Sequence, residues 1–146
     1  MDKLVPTRDL RFLVVEDDVV AREFLKSFLS KFGECDTVKD GLEAILAFCE
    51  SYNEDPPIPY DLVCIDINMP RMGGLLCSRT IRGIEQERKH LHDFPKTPII
   101  ITSAVNDPSY VLKACQESGA DHYFVKPLDL RRITNKMVKF GLIVSK

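Results

Sequence analysis

No stretch of this chain stays apolar for anything near the roughly 20 residues that a membrane-crossing helix needs. Residues 1–11 also lack the apolar core, about 7–15 residues long, of a secretory signal. No membrane association is expected. There is no Cys-x-x-Cys pair, and the five cysteines (35, 49, 64, 77 and 115) are odd in number and mostly embedded in apolar segments. That argues against a disulfide scaffold or a zinc finger and for a reducing, cytoplasmic setting. Charge of one sign is missing too: 20 Lys and Arg against 22 Asp and Glu leave a net charge of -2. With no basic stripe, the electrostatic argument for direct nucleic-acid binding is gone. Repeats, low-complexity segments and internal linkers are absent. A chain of 146 residues is therefore read as one domain, 1–146, with its core from about 10 to 141. That length suffices to bury roughly 70% of the unfolded surface.

What is present is an alternation of short apolar runs and helical periodicities. Strands are predicted at 11–15, about 35–38, 61–66, about 98–102 and 122–125. The first helix places Val20, Phe24 and Phe28 on one stripe, with Ala21, Leu25 and Phe32 beside it and Gly33 as the stop. Asp40 and Glu43 have capping-box spacing, and Leu42, Ile45, Leu46 and Cys49 supply the inner face of the second helix. The prolines in 52–59 exclude regular structure there. A third helix covers about 74–87, and a charged connection follows at 88–97. Asn106-Asp107-Pro108 starts a fourth helix that ends at Gly119, and a fifth begins near Asp129 with Leu130, Ile133 and Met137 inward. Five strand–helix units imply right-handed crossovers and a parallel sheet covered on both faces, a three-layer α/β/α sandwich.

In such sheets, sites form beyond the carboxyl ends of the strands. There the chain puts Glu16-Asp17-Asp18 after the first strand, Asp66 after the third, Ser103 after the fourth and Lys126-Pro127 after the fifth. If the first and third strands are neighbours, Glu16, Asp17 and Asp66 crowd together. A hard divalent cation such as Mg²⁺ relieves that conflict. Asp18 reads as a helix cap. Asp66 ends an apolar strand and opens a turn with Pro70 and two glycines, so its side chain is expected to be presented rather than packed. Lys126 would pair with Asp66 and with an incoming phosphoryl group, and Pro127 favours a cis bond that aims it inward. Ser103, with the small Ala104 beside it, can donate to an oxyanion held between Asp66 and Lys126. Tyr123 taken alone reads as a sheet aromatic.

Taken together, Glu16-Asp17, Asp66 with Asn68-Met69-Pro70 and Gly74, Ser103-Ala104, Tyr123 and Lys126-Pro127 make the chain resemble the receiver domain of two-component response regulators, from about residue 11 to 140. The resemblance implies a flavodoxin-like fold with five parallel strands in the order 2-1-3-4-5. It makes Asp66 the phospho-acceptor and Lys126 the group that neutralises phosphoryl oxygens. Mg²⁺ would be held by Asp17, Asp66 and the Asn68 carbonyl, with Glu16 acting through water; Ser103 and Tyr123 would be the switch pair. It further implies a histidine kinase or histidine phosphotransfer protein upstream. A downstream protein target would meet the face of helix four, strand five and helix five. Such a domain catalyses only its own phosphorylation and dephosphorylation. One departure is Gly73, where the family often has Asp; this is expected to affect the start of the third helix, not the chemistry. A phosphatase of the haloacid dehalogenase type would need Asp-x-Asp where this chain has Glu16-Asp17-Asp18. No output domain follows residue 141, which suits both a stand-alone receiver and a piece of a hybrid kinase or larger regulator.

Overall fold

In the computed structural model, which describes residues 3–91 and 93–146, the parity of the strand residues decides which helix covers which face. The elements in chain order are β1 (Leu4–Pro6), β2 (Arg11–Val15), α1 (Val19–Leu29), β3 (Glu34–Val38), α2 (Gly41–Asn53) and β4 (Leu62–Asp66), then α3 (Gly74–Arg88), β5 (Ile99–Ser103), α4 (Pro108–Ser118), β6 (His122–Val125), α5 (Leu130–Lys139) and β7 (Ile143–Ser145). Five strands pair in parallel in the order β3-β2-β4-β5-β6, so β2 and β4 are neighbours and the order reverses between them. Side chains alternate across a strand. Val14, Cys64, Ile100 and Phe124 therefore face α1 and α5, packing with Leu25, Leu29, Ile133 and Met137. Leu13, Val15, Val63, Ile65, Ile99 and Ile101 face the other way, onto Ala44 and Phe48 of α2, Cys77 and Ile81 of α3 and Ala114 of α4. Both faces are apolar because both are covered, as parallel sheets require. Each fully buried Ile or Leu here contributes roughly 1.5–3 kcal/mol.

The helix caps follow the sequence closely. Asp18 accepts from the Ala21 amide, Asp40 from Glu43, Asp107 from Ser109 and Asp129 from Arg131, and Gly119 ends α4 with φ 72°. Gly73 caps α3 without any side-chain bond.

Four expectations need correction. The inner stripe of α1 is Leu25, Phe28 and Leu29, whereas Val20 and Phe24 are exposed. The inner face of α2 is Ala44, Phe48 and Tyr52, while Leu42 and Leu46 face outward. In both helices several phases of apolar residues compete, and packing selects one that the periodicity did not. Helix α2 also runs through Tyr52 to Asn53, so the proline segment begins to break structure only beyond it. Finally, the core does not stop at 10 and 141. β1 and β7 form a separate antiparallel ribbon, Leu4 opposite Ser145 and Pro6 opposite Ile143. Leu142 and Ile143 are buried in the α1–α5 layer.

Candidate functional site

Glu16, Asp66 and Lys126 lie two residues beyond Val14, Cys64 and Phe124, so strand parity puts all three on the α1–α5 side of the carboxyl edge. One ligand oxygen from each of Glu16, Asp17 and Asp66 lies within 4.8 Å of the others. Lys126 Nζ sits 2.7 Å from Glu16 Oε1 and 3.2 Å from Asp66 Oδ1. Its peptide bond to Pro127 is cis, and its backbone amide donates to Ser103 O at 2.7 Å, tying the end of β6 to the end of β5. Sequence-predicted groups from three separate strands thus meet in one cleft.

The carboxylates differ in how they are satisfied. Glu16 is buried, and both its oxygens are used: Oε1 by Lys126, Oε2 by the Asp18 amide at 3.2 Å. Burial pushes its carboxyl above the usual range, the Lys126 bond opposes this, and the Asp66 charge adds to it. Burial alone would lower Lys126. The bond to Glu16 and the Asp66 charge outweigh that and hold its ammonium above the ordinary value, so it stays charged. Asp17 is exposed at the rim, and no hydrogen bond or ion pair reaches its carboxylate among the described residues. Asp66 is not presented as expected: its side chain keeps only 9% exposure and forms the floor of the cleft. Lys126 lies across it on the α1–α5 side, and the turn that follows packs against the backbone of the strand end. A Cβ on Gly74 would lie 2.3 Å from the Asp66 carbonyl oxygen, so α3 starts against the strand end only with glycine there.

The donor set fits a hard divalent cation. Three carboxylates lie together and the one ammonium pairs with two of them, all donors are oxygen, and the Asp17 and Asp66 oxygens are the ones not committed to backbone amides. Asn68, whose carbonyl the resemblance adds, lies on the exposed loop directly after Asp66 and Ile67.

Ser103 and Tyr123 have the opposite parity, towards α4. Ser103 is buried, is the last residue of β5 rather than a residue beyond it, and accepts the Val105 amide through Oγ at 3.1 Å. The Tyr123 hydroxyl donates to the Val105 carbonyl at 3.0 Å. The pair therefore grips both polar groups of a single residue, Val105.

Three contacts had no clear signal in the sequence. Arg22, on α1, donates to the carbonyls of Glu16 (3.1 Å) and Asp17 (3.4 Å) and so steadies the acidic loop from behind. Lys126 pairs with Glu16 more closely than with Asp66. Arg71, in the turn after Asp66, reaches Asp40 at the start of α2. An arginine four residues after an N-cap and one between a proline and a methionine look like solvated surface until the fold closes.

Comparison with known proteins agrees with this fold. The profile of the response regulator receiver domain matches residues 12–138. The chain is 31% identical over 84% of its length to the peroxide stress-activated histidine kinase mak1 of Schizosaccharomyces pombe, of which it covers 7%. It is 38% identical over 87% of its length to the autoinducer sensor kinase/phosphatase CqsS of Vibrio cholerae, of which it covers 17%. The chain thus spans only a small part of these relatives. Among solved structures, the receiver domain of the Arabidopsis thaliana histidine kinase CKI1, complexed with Mg²⁺ and BeF₃⁻, matches with a TM-score of 0.76 and 26% identity, covering 97% of this chain and 99% of that one. The Saccharomyces cerevisiae Ssk1 receiver, solved with the phosphotransfer protein Ypd1, shares the fold with a TM-score of 0.80, 24% identity and coverage of 95% and 92%. Among the described residues no helix is long and apolar enough to cross a membrane. With that profile covering nearly all of the chain, from residue 12 to 138, the chain belongs to the response regulator receiver domain family.

Proposed function

We propose that this domain accepts a phosphoryl group from a phosphohistidine onto Asp66 and uses it to alter a protein-binding face. The observation that carries the reading is the meeting of three carboxylates within 4.8 Å with one ammonium 3.2 Å from Asp66. In the transfer, an Asp66 oxygen attacks phosphorus, the phosphorus–nitrogen bond breaks, and the departing imidazole takes up a proton from solvent. Asp17, Asp66 and the Asn68 carbonyl would hold Mg²⁺, with Glu16 acting through water; the ion supplies positive charge against the phosphoryl oxygens. Lys126 supplies further positive charge and is already charged and oriented. The CKI1 receiver, which takes Mg²⁺ and BeF₃⁻, supports this use of the acids. Hydrolysis of the acyl phosphate completes the cycle, so the only reactions catalysed are the domain's own phosphorylation and dephosphorylation.

The switch follows from the grip on Val105. A phosphoryl group at Asp66 is a strong acceptor close to Ser103, and its hydroxyl turns towards it. Val105 loses its amide partner, and Tyr123 moves into the space vacated. The face of α4, β6 and α5 then changes its affinity for a downstream protein target. The kinases among the relatives suggest a histidine kinase or phosphotransfer protein as the donor.

Incubation with a small acyl-phosphate donor and Mg²⁺ should give one phosphoryl group per chain by mass spectrometry, and none in Asp66→Asn. Full labelling of that variant refutes the assignment. Ser103→Ala should label normally yet lose most of the amide shift changes in α4. An undiminished response would remove Ser103 from the switch.

A further inference from the structure

The turn between Asp66 and α3 contains a backbone conformation that its residue does not favour. Arg71 has φ 63°, the left-handed region, and the Met72 amide bonds the Pro70 carbonyl across it at 2.7 Å. A positive φ under such an i to i+2 bond marks a γ-turn of the rarer, strained kind. It is the one non-glycine positive φ among the described residues, although two glycines follow within three positions. Something must hold an arginine there.

Its side chain provides the hold. Arg71 Nε lies 2.7 Å from Asp40 Oδ2, Nη2 bonds the same oxygen, and Nη2 is 3.4 Å from Glu43 Oε2. Asp40 is buried and fixed in place, since its other oxygen caps α2 through the Glu43 amide. Beside it the Gly41 amide donates to the Met72 carbonyl at 3.2 Å, and a Cβ on Gly41 would lie 2.6 Å from that oxygen. The Gly74 amide closes the turn onto Ile67 O at 2.9 Å. The loop that carries Asn68 is thus bound to the start of α2, an element that contributes no group to the acidic cleft.

We infer that Arg71 is a positioning residue: through Asp40 it clamps the loop after Asp66 in the shape that receives the divalent cation and the phosphoryl group. The inference rests on the reading of the site given above. The energetic logic is that of outer groups that orient ligands, whose loss typically weakens metal binding about 10–100-fold. Because the Arg71 side chain is 55% exposed, the lower end of that range applies.

The test uses Mg²⁺ alone, followed by amide chemical shifts, together with hydrogen exchange of the Met72 and Gly74 amides without the ion. Arg71→Ala and Asp40→Asn should each raise the Mg²⁺ dissociation constant about tenfold and speed exchange at both amides. Asparagine still caps α2, so that variant removes the charge and keeps the helix start. Arg71→Lys should recover much of the affinity, and the double variant should be no worse than either single one. If Arg71→Ala does not fold, Arg71→Gly removes the clamp without the backbone cost. Parent-like exchange and affinity in the folded variants overturn the clamp. A parent that binds no Mg²⁺ overturns the reading of the site instead, and loop exchange then judges the clamp separately.

Discussion

The two ends of the parallel sheet use the same residue types to opposite effect. At the amino end, carboxylates and guanidinium groups are matched bond for bond. Arg82 donates to the carbonyls of Gly119 and Thr97 and to the carboxylates of Glu85 and Asp121, all within 2.9 Å. Asp121 also takes the Ile99 amide, and Glu85 takes the Thr97 amide. Arg11 lies over the Tyr60 ring, 4.6 Å from its centroid, while contacting Asp36, Glu54 and the Ile58 carbonyl. These two arginines anchor the long connections 54–61 and 89–98. At the carboxyl end, three carboxylates cluster around one lysine that pairs with only Glu16 and Asp66. The fold can leave that end underneutralised because the other end is satisfied. A site is where charge is left over.

This contrast can be broken most decisively at Asp66. Its replacement by Asn should abolish phosphoryl labelling while leaving the thermal midpoint equal or higher, since one of three crowded charges is gone. A large loss of stability would mean Asp66 is a structural acid like Asp121. The next largest effect belongs to the other end. Arg82→Ala should cost about 2–4 kcal/mol in urea denaturation, because it strands partly buried Glu85 and Asp121 as well as two carbonyls. Labelling of the folded fraction should persist.

Asp17→Asn sharpens the comparison further. Without Mg²⁺ it should raise stability by about 0.5–1 kcal/mol, by removing a like charge close to Asp66. It should also abolish the gain of about 2.7 kcal/mol expected for the parent at a hundred times the Mg²⁺ dissociation constant. A parent-like gain would exclude Asp17 as a ligand. The smallest effect concerns His122, at the amino end of β6. Burial lowers its pKa, aided by Lys136 and Lys139. The unfolded chain therefore binds that proton more readily. Stability should be full above the ordinary value of 6.5 and decline as pH falls from there towards the depressed one. His122→Phe should flatten that slope between pH 7.5 and 5.5. An unchanged slope would place the acid sensitivity elsewhere.

What could be read in the sequence was whatever is local in the chain. Apolar runs, Asp caps and the polar residue after each strand specify the units and their carboxyl-end chemistry, because strand parity and turn signals act over a few residues. The wet faces of α1 and α2 could not be read so reliably. Leu46 and Phe24 are as apolar as Phe48 and Leu25, and only the neighbouring helices decide which are covered. The depth of Asp66 was missed because it depends on a distant group, Lys126, that lies across it only once the strands are paired. The hold of Arg71 on Asp40 spans 31 positions and carries no motif. The terminal ribbon was missed for a related reason: three residues at each end have no periodicity to detect, and their pairing spans nearly the whole chain.

That ribbon has a topological consequence. With Lys3 and Lys146 joined by a backbone hydrogen bond of 2.8 Å, the path of the described domain is already almost a closed ring. Its path could be sewn shut by a short peptide and cut open elsewhere, for instance at the exposed stretch 93–96, without rerouting any strand of the main sheet. The phosphoryl chemistry would then sit on a circular permutant, because none of its groups lies in that stretch.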